Sequence, residues 1–409
     1  MFDIAIVGGG AAGLSLAAYL KRHRPDLSVA LFEAQSKTGR KIRASGNGKC
    51  NITNRTVSPQ NYFSDNPAFV TDVLKGYDTT RIVRFLQNLG ILATEDEEGK
   101  YFPMCKEAAF VAEMLHDEAL NAGVTLYENT PVESIEKDHL RFVLHTPQKT
   151  FFSRYLVLAC GSNAAVQLGG SDKGYALAQA LGHRLISPLP ALVQLVCDPN
   201  PFAKAAGVKH KAEVTLKSDG NSVATTYGDI LFTSYGISGL AVLDISPYVS
   251  HTLAQYGYAE IVIDLFPHMT LQQLRDFLGK HTRNDADTTA TLWLARFIPK
   301  KLAHIVLDDL DMHRLYERTV RRKQLQRIAY ALKHLSCFVT ETRGFKGAEV
   351  SLGGIDTRDI DAATMASLIC ERLYLAGEML DVTGARGGYN FHFAFTSALR
   401  IAEHLIKEA

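Results

Sequence analysis

The sequence predicts an α/β protein whose main domain is built from both ends of the chain and split by an insertion, part β and part helical. Three observations carry that expectation. An apolar strand, a glycine-rich turn and an apolar helix open the chain over residues 4–23. Short alternating strands broken by Gly, Asn and Pro follow Pro188, and helical periodicity runs over 270–335. From about residue 340 the strand-and-glycine style of the opening returns.

The opening is the most specific of these. A strand from Ile4 to Val7 runs into Gly8-x-Gly10-x-x-Gly13, and a helix follows to about His23. A second strand, Val29 to Phe32, ends on Glu33, twenty residues past Gly13. Gly8 makes the tight turn, Gly10 admits a pyrophosphate close to the backbone, and Gly13 lets helix pack on strand. The helix start, which includes Ala12, offers free N–H groups and a positive dipole end to phosphates. Glu33 is placed to accept hydrogen bonds from ribose hydroxyls. The glycines alone fit any tight strand–helix turn, but strand, helix and acid at this spacing together predict dinucleotide binding. Three glycines, Asp3 and the lack of a basic stretch before the apolar run argue against a leader or an anchor. A cytoplasmic protein without a membrane partner is expected.

With 409 residues the chain has room for two or three domains, and 46% apolar residues supply their cores. A net charge of +1 gives no global pull toward nucleic acid or membrane. The six cysteines (50, 105, 160, 197, 337, 370) form no C-x-x-C and no Cys/His cluster. That predicts reduced thiols, no metal site and no disulfide-reductase dithiol.

Further along, helical patterns cover about 67–90 and 107–122, and strands are expected at 123–127, 132–136 and Leu156–Leu158. The last leads into A-C-G-S (159–162), and a short helix is expected from Gly174 to Gly182. The main domain is thus drawn as 1–188 with 340–409, around a β segment (189–267) and a helical segment (268–339).

A second informative run, Leu373 to Asn390, reads L-Y-L-A-G-E-M-L-D-V-T-G-A-R-G-G-Y-N. A buried strand ends at Gly377-Glu378, where an acid is well placed for ribityl hydroxyls. Gly387-Gly388 lets backbone approach a flat ring, and the helix opening near Asn390 aims its positive end there. Such a field stabilises a reduced flavin. With the N-terminal fingerprint, this makes FAD the expected resident cofactor. No second G-x-G-x-x-G is present, so NAD(P)H is expected only as a transient electron donor.

These residues resemble the HI0933-like flavoproteins, the group of BaiN- and aminoacetone-oxidase-like enzymes. The shared motifs are G-G-G-A-A-G (8–13), G-R-K-I-R-A-S-G-N-G-K-C-N-I-T-N (39–54), Y-F-P-M (101–104), L-F-T-S-Y-G-I-S-G (231–239), S-L-G-G-I (351–355) and G-E-M-L-D-V-T-G-A-R-G-G-Y-N-F (377–391). The resemblance implies a glutathione-reductase-like, Rossmann-type FAD-binding domain interrupted by a small β-barrel and a helical subdomain. It implies that Arg40 and Lys41 lie near the pyrophosphate, and Ser45, Gly46 and Asn47 near the flavin. Val132 would bind adenine through its backbone, and Glu378, Gly388, Tyr389 and Asn390 would hold ribityl and ring. The chain departs from the group's pattern at A-C-G-S, where A-T-G-G is common, at I-S-G-L (237–240), where proline is common, and at Lys49, where arginine is usual. The first departure leaves backbone approach at Gly161 intact. The last trades a planar fork for a point charge.

Members of such a group look like NAD(P)H-linked reducers of conjugated C=C bonds, amine oxidases or makers of dihydrouridine in ribosomal RNA. The expected activity is FAD-dependent reduction of a conjugated double bond in a small molecule, by hydride transfer from flavin N5. The alternatives are an RNA-modifying reductase and an aminoacetone-type oxidase. Residues 296–327 hold nine Lys/Arg against four acids, and Arg318, Arg321, Arg322 and Arg327 could share a face of a basic helix around 314–327. That is a candidate RNA surface, although a solvated helix face explains it as well and no aromatic run is interleaved. Catalytic candidates are Tyr389 as proton donor, Arg386 as receptor for an acid or the flavin O2, and His392, which at a helix start is more often structural. Cys50 is a nucleophile candidate without an evident partner. Tyr235 and Ser238, from the insertion, are candidates to reach over the site.

Overall fold

The computed structural model describes residues 1–283 and 287–409. Residues 284–286, inside the span read as helical, lie outside the described residues. The chain divides into two compact units, Met1–Leu189 with Val350–Ala409, and Pro190–Glu349.

The main sheet of the first unit has seven strands: β1 (Phe2–Val7), β2 (Val29–Phe32), β3 (Thr125–Tyr127), β4 (Ser134–Lys137), β5 (Phe142–His145), β6 (Thr150–Leu158) and β7 (Leu373–Leu375). The order is β3-β2-β1-β6-β5-β4, with β7 also on β6. β1, β2, β3, β6 and β7 are parallel, and β5 and β4 fold back antiparallel. β6 pairs with β1 along one edge and splits the other between two strands: residues 150–153 pair with β5, and 156–158 with β7. At the centre of the sheet the parallel strands are continuous apolar runs, as strands covered on both faces must be: Ile4–Val7, Val29–Phe32 and Leu373–Leu375 are all buried, whereas the edge strand β3 is not.

Parallel strands bring their carboxyl ends to one edge. Val7, Phe32, Leu158 and Leu375 therefore deliver Gly8, Glu33, the 159–162 turn and Gly377 to the same side of the sheet. Helix α1 (Ala11–His23) starts there, rich in Ala and Leu, and stops at Arg24 ahead of Pro25. It packs against α2 (Tyr389–Glu408), the C-terminal helix.

The second unit is a closed barrel ordered Leu195–Cys197, Gly236–Ser238, Asn221–Phe232, Lys209–Ser218, Ala259–Asp264 and Leu335–Thr342. Ala212, Val214 and Leu216 point inward and alternate with Lys211, Glu213 and Thr215. The last strand closes back onto Leu195–Cys197 only after helices Leu271–Lys280, Ala290–Leu294, Lys300–Asp309 and Arg322–Lys333.

Two differences from the sequence reading stand out. A helix, Leu240–Tyr256, occupies part of the stretch read as β; its buried Ala241, Val242, Ile245 and Val249 follow helical, not alternating, spacing. The basic helix also needs correction. Arg318 lies in a single 3₁₀ turn (Glu317–Thr319), Val320 and Arg321 are extended, and the α-helix begins at Arg322. The Arg321 N–H is capped by Gln324 Oε1 at 3.1 Å, which fixes that start. The four arginines do not share a helix face. No helix of the described residues is long and apolar enough to cross a membrane.

Candidate functional site

The glycine loop is shaped by backbone contact at two of its glycines. A Cβ on Gly8 would lie 2.2 Å from the Ala159 carbonyl oxygen, and one on Gly13 would lie 1.9 Å from that of Gly8. Gly10 is different. Its φ is −87°, and a Cβ there would meet nothing within 4 Å. Neither space nor backbone geometry demands glycine, so the open side of Gly10 fits a ligand that must approach the main chain. Helix α1 has no side-chain cap and no acid in its first turn, so the N–H groups around Ala11 and Ala12 keep their positive end for an anion.

Glu33 closes the loop from the end of β2. Its Oε2 accepts the Gly9 N–H and its Oε1 the Gln35 N–H, each at 2.8 Å. Burial pushes its carboxyl up from the ordinary range, against the pull of those two bonds. Each oxygen retains a lone pair for a ribose hydroxyl. The Glu33 carbonyl accepts the Thr130 N–H at 2.9 Å, two residues before the buried Val132. Arg40 is held by the side chain of Gln35 and by the Gln167 carbonyl.

Three segments meet at Glu378. Its Oε2 is 3.1 Å from Lys41 Nζ, and its Oε1 accepts the Ser162 hydroxyl at 2.8 Å. Ser162 is buried and also accepts the Ala164 N–H at 3.2 Å. Lys41 comes from the 39–54 block, Ser162 from the exit of β6 and Glu378 from the exit of β7. Next to them Gly161 sits at φ +72° with open space where a Cβ would be. Gly377, at φ +71°, lies against Ala12: a Cβ there would be 3.3 Å from that of Ala12, so the two ends of the chain touch at this point.

The C-terminal loop is ordered by side chains. Asn390 clamps Gly384 through Oδ1 and Nδ2, both at 2.8 Å. Asn54 Nδ2 donates to the Gly387 carbonyl at 3.0 Å. Gly388 caps α2 at φ +97°, and a Cβ there would be 2.7 Å from both Asn51 Oδ1 and the Thr53 carbonyl oxygen. Asn51 Oδ1 is itself buried without a hydrogen-bond partner. Tyr389 is buried, with its hydroxyl 3.1 Å from Thr56 Oγ1, and its carbonyl accepts the Tyr62 hydroxyl at 3.0 Å.

The structure thus gathers Gly8, Gly10, Ala12, Gly13, Glu33, Lys41, Gly161, Gly377 and Glu378 along one sheet edge, with Gly388, Tyr389 and Asn390 at the start of α2. Ser45, Gly46 and Asn47 form a turn of their own. The Ser45 hydroxyl donates to the Ile42 carbonyl at 2.7 Å, and Gly46 and Asn47 are exposed and left-handed. His392 is fully buried. Its Nδ1 lies 2.7 Å from Thr53 Oγ1 and its Nε2 2.9 Å from the Tyr77 carbonyl, and burial pushes its pKa down to about 4. Both nitrogens are engaged within the protein, the geometry of a positioning residue. Arg386 is half-buried in the turn before α2. Cys50 is buried and its thiol is pushed up to about 12 by burial, so it stays protonated and is no nucleophile. Tyr235 and Ser238 belong to the second unit, where the Arg343 guanidinium stands 4.7 Å over the Tyr235 ring. Ser162, Thr53 and Asn54 were not among the site residues read from sequence. The departure from glycine at 162 was the visible signal for the first, and the N-I-T-N run for the others.

The sequence profile described as the HI0933-like protein Rossmann domain matches residues 2–404. The chain belongs to the HI0933-like family. A 3-dehydro-bile acid delta(4,6)-reductase of Clostridium scindens is 33% identical over 97% of both chains. A ribosomal RNA dihydrouridine synthase of Haemophilus influenzae is 32% identical over 97% of this chain and 96% of that one, and its Escherichia coli namesake is 32% identical over 99% and 98%. Among solved structures, the 3-ketosteroid delta1-dehydrogenase of Sterolibacterium denitrificans aligns over all of both chains with a TM-score of 0.53 at 14% identity. That likeness supports the family's architecture here, the mixed α/β Rossmann-type FAD-binding fold with a closed six-stranded barrel.

Proposed function

We propose that this protein uses NAD(P)H to reduce a conjugated C=C bond of a small molecule. It is an FAD-dependent oxidoreductase, and bound FAD supplies hydride transfer at the flavin N5. The observation that carries the reading is the sheet edge where Gly10 is left open beside the buried Glu33 and the Lys41–Ser162–Glu378 cluster. In this reading the start of α1, with Gly8, Gly10, Ala12 and Gly13, holds the pyrophosphate, assisted by Arg40 and Lys41. Glu33 accepts the ribose hydroxyls and Val132 meets adenine through its backbone. Glu378 takes the ribityl chain, with Gly161 and Gly377 allowing close approach. Ser45, Gly46, Asn47, Gly388 and the backbone N–H of Asn390 border the ring. Tyr389 holds the proton delivered opposite the hydride, with Thr56 Oγ1 as its neighbour, and Arg386 receives an acidic group of the substrate. His392 positions this loop. A cytoplasmic setting suits the six free thiols. The reductase relative, aligned over 97% of both chains, supports the choice of acceptor.

A second reading, reduction of a uridine in RNA, is favoured by two relatives of that printed activity. The basic segment supports it less than the sequence suggested, because Arg318 pairs with Asp287 and only Arg322 and Arg327 lie in the helix. Anaerobic stopped-flow absorbance of the yellow protein with NADH or NADPH tests the donor. Bleaching faster than about 1 s⁻¹, the low end of ordinary turnover, followed by reoxidation with a conjugated enone, is the expected result. Reoxidation by uridine-containing rRNA fragments and not by enones would transfer the assignment to the second reading. Failure to bleach with either nucleotide would remove NAD(P)H as donor.

A further inference from the structure

Glu378 stands in a single 3₁₀ turn, Gly377–Met379, at the exit of β7. The main chain before it is fixed: the Ala376 N–H donates to the Leu158 carbonyl at 2.9 Å, and the Gly377 N–H to Ser397 Oγ at 3.0 Å. The carboxylate still turns on three side-chain torsions, the last of them broad, and 20% of the side chain is exposed. An acceptor free to turn in this way loses entropy each time it captures a hydroxyl. A useful ribityl acceptor at this place therefore has to be held before the cofactor arrives.

Ser162 supplies that hold. It is 1% exposed and fixed twice: its carbonyl accepts the Ser171 N–H at 3.1 Å, and its Oγ accepts the Ala164 N–H at 3.2 Å. Lys41 Nζ, 3.4 Å from the same Oγ, is a donor only. A hydroxyl has two lone pairs and one proton. With two donors on its oxygen, the Ser162 proton has one destination, Glu378 Oε1 at 2.8 Å. Lys41 Nζ donates to the other oxygen, Oε2, at 3.1 Å. Each carboxylate oxygen thus receives one donor from the protein and keeps a lone pair for a ligand. The two donors are not equal constraints. Lys41 is 30% exposed on a flexible four-carbon stem. The Ser162 bond is charge-assisted, and its donor is buried and pinned through its own main chain.

We propose that Ser162 is the positioning residue that sets the affinity of this site for FAD. It acts through Glu378, whose remaining lone pairs it holds in place for the ribityl hydroxyls. The proposal rests on the reading of Glu378 as the ribityl acceptor.

The test is a double-mutant cycle on FAD affinity, with S162A, E378Q and S162A/E378Q beside the parent. Affinity is read from the release of FAD by the loaded protein on serial dilution, followed by recovery of the free flavin fluorescence. The expected loss is about tenfold in S162A, the scale of one hydrogen bond to a charged group, and larger in E378Q. In the double variant, S162A should add less than about twofold to the loss in E378Q, because the group it positions is already altered. A serine that only supported the fold would cost the same in both backgrounds. S162C keeps the size of the side chain but is a weak donor, and should fall between the parent and S162A. It and S162C/E378Q carry the cycle if alanine at this buried position leaves no folded protein. Parent affinity in S162A and S162C would overturn the proposal, and so would equal losses in the two backgrounds. Parent affinity in E378Q would instead remove Glu378 as the ribityl acceptor, and the proposal with it.

Discussion

The two glycine loops that meet at the site are ordered in opposite ways. In the N-terminal loop, backbone presses on backbone: Gly8 against Ala159 and Gly13 against Gly8. The glycine between them is left without a protein neighbour at its open side. In the C-terminal loop every glycine faces protein atoms: Gly384 against Asn390 N, Gly387 against the Tyr389 ring and Gly388 against Asn51 and Thr53. Side chains from 51–77 and α2 hold it, through Asn54, Asn390 and His392. A glycine kept for packing and a glycine kept for a ligand thus look alike in sequence and differ in what surrounds them. The first loop contains both kinds, three positions apart.

The largest effect is expected at Gly13. A methyl group 1.9 Å from the Gly8 carbonyl oxygen cannot be relieved by a rotamer, because the obstacle is main chain. The helix must lift off β1. Gly13→Ala should destabilise the protein by about 3 kcal/mol or more, the upper range of overpacking. Guanidinium unfolding with and without added FAD measures it. A variant with unchanged midpoint would mean that helix and strand are not in close contact.

Gly10→Ala is the counterpart. The added methyl points into open space and φ is ordinary, so the apoprotein should unfold within about 1 kcal/mol of the parent. FAD affinity should fall on the order of a hundredfold, about 2.7 kcal/mol, as followed by fluorescence quenching of free FAD during titration. Full FAD affinity in Gly10→Ala would erase the distinction between the two kinds of glycine.

This contrast marks what could be read from the sequence. β1, α1 and β2 were legible because local spacing determines them: an apolar run, three glycines and an acid at the end of the next strand. The edge position of Glu378 was legible for the same reason, since a buried strand that ends in Gly-Glu has few other places to go. Ser162 was not, because its partner Glu378 is 216 residues away and only the sheet order brings β6 beside β7. The helix Leu240–Tyr256 was hidden by its β-branched residues and Pro247 in a region of short strands. The arginines of 318–327 were read as one helix because the extended Val320–Arg321 step leaves no mark in composition.

The smallest effect separates the loops by pH. The first loop titrates through Glu33, whose carboxyl is raised by burial, so protonation is not opposed by the fold. The second is anchored by His392, whose ring burial holds near pKa 4 against an ordinary 6.5. Above pH 6.5 the ring is neutral in both the folded and the unfolded chain, and its bonds to Thr53 and Tyr77 are kept at no cost. Below that, the unfolded chain takes up a proton that the folded chain refuses, so stability drains away as pH falls toward 4. At pH 5 the loss is about 2 kcal/mol. His392→Gln keeps a donor and an acceptor but cannot titrate. It should start somewhat less stable at pH 7 and then lose about 2 kcal/mol less than the parent between pH 7 and pH 5, by guanidinium unfolding at each pH. Taking the difference between the two proteins removes the contribution of carboxyls such as Glu33 and Asp381, whose raised values act in the opposite sense. Parallel pH profiles for parent and variant would show that the ring is not held neutral, and that the second loop rests on Asn54 and Asn390 alone.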